Sequence, residues 1–150
     1  LRLSLDTDIP GPDHLVHRDA DVPVDSLLRI DNAAFDGFWR FDATAIAEAM
    51  QATAKSDTFV ISDGDGGHAG YAIVGYGHAI SYLQRVAVHP DWQGRGMGRS
   101  LIRSAARSAR RAGSKALLLN TQASNTPAIT LYHSEGYVLL PESLAVLRAG

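Results

Sequence analysis

Three glycines at alternate positions, Gly94, Gly96 and Gly98, interleaved with Arg95, Met97 and Arg99 and preceded by Gln93, are the residues of this sequence best suited to chemistry. A β-branched, alternating run ends at Pro90 and a long helical pattern starts at Met97, so the glycines form a strand-to-helix turn. The first N–H groups of a helix lack intrahelical partners and lie at the positive end of its dipole. Glycines there accept positive φ and let a phosphate approach the backbone, and Arg95 adds a fixed charge. The chemistry implied is pyrophosphate binding. A P-loop would require a Lys that the loop lacks, and a dinucleotide fingerprint would require glycine where Arg99 stands. What remains is Gln-x-x-Gly-x-Gly at Gln93, Gly96 and Gly98.

This pattern resembles that of the GNAT superfamily of acyl-CoA-dependent N-acyltransferases. The resemblance continues in Leu117-Leu-Leu-Asn-Thr-Gln-Ala-Ser-Asn125 and Leu131-Tyr-His-Ser-Glu-Gly-Tyr137. It covers Gly70 to Tyr137, fades before Ala33, and in the second half is most similar to bacterial enzymes that acetylate protein N-terminal amines. The resemblance implies an α/β domain with a mixed, mostly antiparallel twisted sheet flanked by helices, in which a splayed parallel strand pair forms the acyl-CoA cleft. It implies acetyl-CoA as cosubstrate, with backbone groups around Val86, Ala87 and Val88 pairing with the pantetheine amides as an added strand would. One of those N–H groups would stabilise the oxyanion. Gln93, Gly94, Arg95, Gly96, Met97, Gly98 and Arg99 would hold the pyrophosphate, and Asn125 the pantetheine or pyrophosphate region.

The same resemblance assigns Tyr132 as general acid for the departing CoA thiolate. A phenol of pKa about 10 stays protonated near neutrality, and a thiolate whose thiol has a pKa of about 8.5 is basic enough to accept a hydrogen bond or proton from it. No covalent enzyme intermediate and no metal are expected. The general base departs from the family pattern, because Asn120, Gln84 and Arg85 stand where relatives often carry carboxylates. Either water carries the proton, toward His78, or the acceptor arrives neutral, as an α-amine of pKa about 8 does more readily than a lysine. The acceptor is then a protein N-terminus or a small-molecule amine. The competing readings are a non-catalytic acyl-CoA-binding module and a nucleic-acid binder.

The elements that must position these groups follow from periodicity. Leu1 to Leu5 reads as a peripheral strand and the rest of residues 1–21 as loop. Leu27, Ile30 and Ala34 give one face of a helix capped by Asp25 or Ser26, and Asp42 caps a second. Between them lie Phe35, Phe38, Trp39 and Phe41, read chiefly as rings stapling the helices to the sheet, although in similar enzymes this connection borders the acceptor groove. Thr58 to Ser62 and Ala69 to Tyr76 form a hairpin about a glycine-rich turn, whose Asp63 and Asp65 lack the partners of a calcium loop. Along Ile80 to Val88, period two puts Tyr82, Gln84, Val86 and Val88 on one face and Leu83, Arg85 and Ala87 on the other.

A helix from Met97 to Ala112 follows, ended by Gly113, with Arg103, Arg107, Arg110 and Arg111 on an exposed face. Ala116 to Asn120 is the next strand, and Asn125 caps a helix through Tyr132. Closing strands are expected at Tyr137 to Leu140 and Leu144 to Arg148.

One domain accounts for the 150 residues, and the start at Leu1 reads as a trimmed or longer parent chain. The absence of cysteine excludes disulfides and thiolate chemistry and suits a cytoplasmic protein. No apolar run reaches the about 18 residues of a membrane span. Residues 1–65 carry 13 acidic and 5 basic side chains, whereas residues 66–150 carry 3 and 9. The basic half suits a polyanionic cofactor. Nucleic acid is not an expected partner, since no aromatics interleave the arginines.

Overall fold

The computed structural model describes residues 1–121 and 125–140. Six strands, β1 (Arg2–Ser4), β2 (Val16–Arg18), β3 (Lys55–Ser62), β4 (His68–Tyr76), β5 (Ile80–Val88) and β6 (Ala116–Leu119), form one sheet in the order β1-β6-β5-β4-β3-β2. Its two central strands are β4 and β5, and β4 forms a hairpin with β3. The hairpin turn closes as its glycines suggest: Gly64 and Gly66 take positive φ, and the Asp63 carboxylate accepts from the N–H groups of Asp65 and Gly67. Those two bonds hold its pKa below the usual carboxylate value. Among the described residues no cluster of metal-ligating side chains occurs.

Helix α1 (Val24–Ala34) and helix α2 (Ala43–Gln51) cover one face of the sheet through Leu27, Ile30 and Ile46, which meet Val60, Tyr71, Ile73 and Ala87. Asp42 caps α2 as expected, accepting from the Ala45 N–H at 2.8 Å. At α1 the expected cap is wrong: the helix begins at Val24, and Pro23 stands at the cap without a side-chain bond. Proline supplies a fixed φ just before the helix and so replaces the side-chain cap. Helix α3 (Met97–Arg111) covers the other face, burying Leu101, Ile102, Ala105 and Ala109 against Phe59, Ala72, Leu83 and Leu117. Strand β6 (Ala116–Leu119) runs parallel to β5, and helix α4 (Thr126–Ser134) follows.

Two peripheral strands complete the sheet. Strand β1 (Arg2–Ser4) pairs with β6, whereas β2 (Val16–Arg18) pairs with β3 inside a segment expected to be loop. Three residues are too few to show a period, and only the open edge of β3 selects them. The expected closing strand at Tyr137 reduces to a single bridge between Val138 and Arg2. The expected strand at Leu144 to Arg148 lies outside the described residues.

The arginine face of α3 is exposed at Arg107, Arg110 and Arg111 as expected, but three of its arginines are also tied to backbone. Arg110 donates to the Leu5 carbonyl, Arg107 to that of Ile9 and Arg103 to that of Gly11, strapping the N-terminal segment along the helix. Arg103 also forms a two-pronged ion pair with Glu135 at the end of α4. Backbone carbonyls with no sheet partner find donors there, which long guanidinium arms reach.

Candidate active site

The face assignment along β5 breaks at one residue. Pairing with β4 slips between Ile73 and Val74, where Arg85 opposes Ile73 and Leu83 opposes Val74, so Gln84 is an extra residue in a β-bulge. Leu83 therefore packs in the α3 core together with Val86 and Val88, while Arg85 and Ala87 turn to the α1 side. Strict alternation had joined Leu83 to Arg85 and Ala87. The insertion of one residue inverts every position before it.

The bulge also ends the parallel ladder. Pairing of β5 with β6 stops at Leu83 opposite Leu119, and beyond it the strands separate. His89 N–H bonds the Ala69 carbonyl, and the Ala87 carbonyl lies against Gly70, so these residues face β4. By alternation, Val86 and Val88 turn their backbone groups the other way, into the gap. The gap is a cleft of about 1010 Å³, lined by Val86 and Val88 on one side and by Asn120, Asn125, Leu131 and Tyr132 on the other.

One end of the cleft is the glycine loop. Gln93, Gly94, Gly96, Met97, Gly98 and Arg99 all line it. The Gln93 amide donates to the Val88 carbonyl at 2.9 Å, which fixes the loop to the strand end. Gly94 (φ 79°) and Gly96 (φ 83°) are left-handed, and Gly96 caps α3. A Cβ at Gly94 would meet nothing within 4 Å, so the backbone here is open to a ligand. The first N–H groups of α3, at Met97, Gly98 and Arg99, have no helical partner. A pyrophosphate fits these donors.

A family model for the GNAT acetyltransferase domain matches residues 54–139. The chain belongs to the GNAT family. No curated protein sequence matches it significantly. The ribosomal-protein-S18-alanine N-acetyltransferase of Escherichia coli has a TM-score of 0.74 at 24% identity, over 85% of this chain and 79% of that one. An IAA acetyltransferase from Bacillus cereus gives 0.68 at 22% identity, over 85% and 78%. AAC(6')-Iy in complex with the bisubstrate analogue CoA-S-monomethyl-acetylneamine gives 0.67 at 17% identity, over 85% and 92%. At these identities the likeness is one of fold.

Tyr132 of this GNAT domain comes from α4, whose N-terminus Asn125 caps by accepting from the Ala128 N–H. Its ring is buried edge-on against Tyr137 at 5.3 Å, and burial pushes its pKa up to about 12. Asn125 thus lies at the cleft as well as at the cap. Arg99 lines the cleft while held by Glu135 at 3.5 Å and Ser134 at 3.2 Å. Arg95 does not line it: its guanidinium stacks on Trp92 at 4.7 Å. Ala87 borders the cleft, but its carbonyl is directed at β4. His78 lies in the turn before β5, at the end of the strand remote from Val88, and does not line the cleft.

Among the described lining residues there is no Asp, Glu or His, so Asn120 and Gln84 border a site without a side-chain base. Residues unremarked in the sequence also reach the site. His14 bonds the Arg95 carbonyl through Nε2 at 2.7 Å, and its N–H donates to Ser100, so the N-terminal segment buttresses the glycine loop. Asp31 is fully buried and pairs with Arg85 at 2.8 Å. An acid on the Leu27, Ile30, Ala34 stripe of α1 was the legible signal for that pair; nothing local marked His14. Among the described residues no helix is long and apolar enough to cross a membrane.

Proposed function

We propose that this chain is a single-domain, cytoplasmic, acetyl-CoA-dependent N-acetyltransferase that moves an acetyl group directly to an amine, either a protein N-terminus or a small molecule. The observation that carries the proposal is the splay of β5 from β6, which turns the backbone of Val86 and Val88 into a cleft running from the glycine loop to Tyr132. Extended backbone with free donors pairs with a pantetheine arm as a strand pairs with an edge. The loop from Gln93 to Arg99 would hold the pyrophosphate, and Asn125 would border the arm. Acetyl-CoA supplies the activated thioester.

The remaining chemistry is the work of this chain's residues. An N–H from β5 polarises the carbonyl as the amine nitrogen attacks its carbon. The carbon–sulfur bond breaks, and Tyr132 Oη gives its proton to the departing sulfur and recovers one from solvent. Its pKa of about 12 keeps it in the acid form throughout the neutral range. The amine's own proton leaves to water, which favours an acceptor that arrives neutral.

The test is thermal unfolding with acetyl-CoA at about 100 times Kd, which adds about 2.7 kcal/mol and raises Tm by roughly 5 to 10 °C. Gly98→Glu is the control, because a Cβ at Gly98 meets Leu131 and Val88 at ordinary distances of 3.6 and 3.8 Å and its φ is not positive. Loss of the rise in that variant alone supports the cofactor site, and no rise in the wild type refutes it. The lack of a lining carboxylate favours one second reading, a non-catalytic acyl-CoA-binding module. Binding of acetyl-CoA without CoA release on any amine of a panel would select that reading.

A further inference from the structure

The acceptor end of the cleft is built around an ion pair that the transfer chemistry leaves unused. Asp31 accepts from the Tyr71 hydroxyl at 2.6 Å, the Phe41 N–H at 2.8 Å, and Arg85 Nε and Nη2 at 2.8 and 2.9 Å. With its lone pairs so engaged and no exposed surface, this carboxylate anchors its partners and has no free face for a substrate proton. Arg85 carries the anchorage outward. Its guanidinium carbon lies 3.7 Å from the ring centroids of both Phe35 and Phe41, and Nη2 donates to the Trp39 carbonyl at 2.8 Å.

One β5 side chain therefore holds three residues of the α1–α2 connection. Its chain neighbours are Gln84, the bulge residue, and Val86, whose backbone faces the cleft. A lysine would keep the charge but neither the fork nor the flat surface that stacks between two rings. The wall so formed is apolar: Phe35, Trp39 and Phe41 all line the cleft. Trp39 is 48% exposed and pairs edge-on at 4.9 Å with Phe38, which is 87% exposed. Arg85 is matched by Asp31, and the described lining residues include no carboxylate, so a polycation would find no counterion.

We propose that Arg85 is a positioning residue that preforms an acceptor subsite from Phe35, Trp39 and Phe41, and that this subsite takes a single α-amine carried on an aromatic or large aliphatic side chain. The proposal rests on the acetyltransferase reading above and narrows its acceptor. An α-amine is neutral more readily than an alkylamine, and an apolar side chain gives the aromatic wall its complement.

The probes are L-phenylalaninamide, glycinamide and spermidine, each followed by CoA release and, independently of turnover, by saturation-transfer NMR on the CoA-loaded protein. Phenylalaninamide should exceed glycinamide in kcat/KM by about tenfold or more, with no turnover of spermidine. The Asp31→Asn, Arg85→Met double variant removes both charges together, since either change alone strands a buried partner. It should raise the acceptor KM on the order of 100-fold while leaving the acetyl-CoA Kd unchanged by calorimetry. Trp39→Ala, which removes the ring but keeps the backbone carbonyl that Arg85 binds, should raise the same KM and not that Kd.

Preference for glycinamide or spermidine overturns the subsite while leaving acetyl transfer intact. So does a double variant whose acceptor KM stays at the wild-type value, or whose Kd for acetyl-CoA rises in parallel. If no amine is turned over, NMR contact to phenylalaninamide that the double variant loses supports the subsite and removes the transfer reading instead. A Phe-initiated tripeptide run alongside separates peptide N-termini from small amines, and preference for either over glycinamide supports the subsite.

Discussion

Replacing Tyr132 by Phe removes one oxygen from a ring that is 5% exposed and packed edge-on against Tyr137, so the packing survives. The hydroxyl has no bonded partner among the described residues, and its loss should change stability by no more than about 0.5 kcal/mol. Catalysis should respond very differently. A positioned general acid contributes about 100- to 10,000-fold, or about 2.7 to 5.4 kcal/mol of barrier. The expected result is a kcat lowered by that factor at an unchanged acetyl-CoA Kd, read by thiol release with phenylalaninamide and by calorimetry. The pH profile supplies a second check. Because the folded pKa is raised from 10.0 to about 12, the acid form persists and kcat should show no basic limb from this group near neutrality. Burial disfavours the ionised phenol, so Tyr132 leaves stability untouched below pH 10.0 and lowers it as pH rises from 10.0 to about 12, where the unfolded chain ionises first, and Tyr132→Phe should flatten this part of the stability profile. A variant that retains wild-type kcat, or loses activity only in step with Tm, refutes the assignment.

Two other changes test the scaffold. Gly96→Ala forces a Cβ into φ 83°, which should cost about 1 kcal/mol or more and weaken acetyl-CoA binding, by thermal shift and calorimetry; an unchanged Kd would dissociate the turn from the site. Arg103→Met breaks the pair to Glu135 and the bond to Gly11, and should cost about 1.5 to 3 kcal/mol, a Tm fall of several degrees by calorimetric scan. A Tm unchanged in that variant would mean that the Arg103 bonds to Glu135 and Gly11 add nothing to stability.

Much of the cofactor side was legible because its determinants are local. Gly94, Gly96 and Gly98 report a turn, the helix spacing of Leu101, Ala105 and Ala109 reports its buried face, and Asp42 and Asn125 are caps three residues from their donors. Each depends on backbone physics within a few residues, which sequence carries directly. The β5 faces were only half legible, since the bulge at Gln84 arises from pairing with β4 and not from any residue in β5 alone.

The acceptor side depended on contacts that only folding creates. Asp31 and Arg85 are 54 positions apart, and His14 and Arg95 are 81 apart. No periodic signal spans such separations, so the pairing of an acid on an apolar stripe with an arginine in an apolar strand is not visible in the sequence. By itself the sequence determined the glycine turn, the helix that follows it and the candidate acid, Tyr132. The tertiary structure alone decided which face of β5 meets the cleft, what holds the aromatic wall, and that the arginines of α3 tie down the N-terminal segment, because those outcomes follow from partners brought together across the chain.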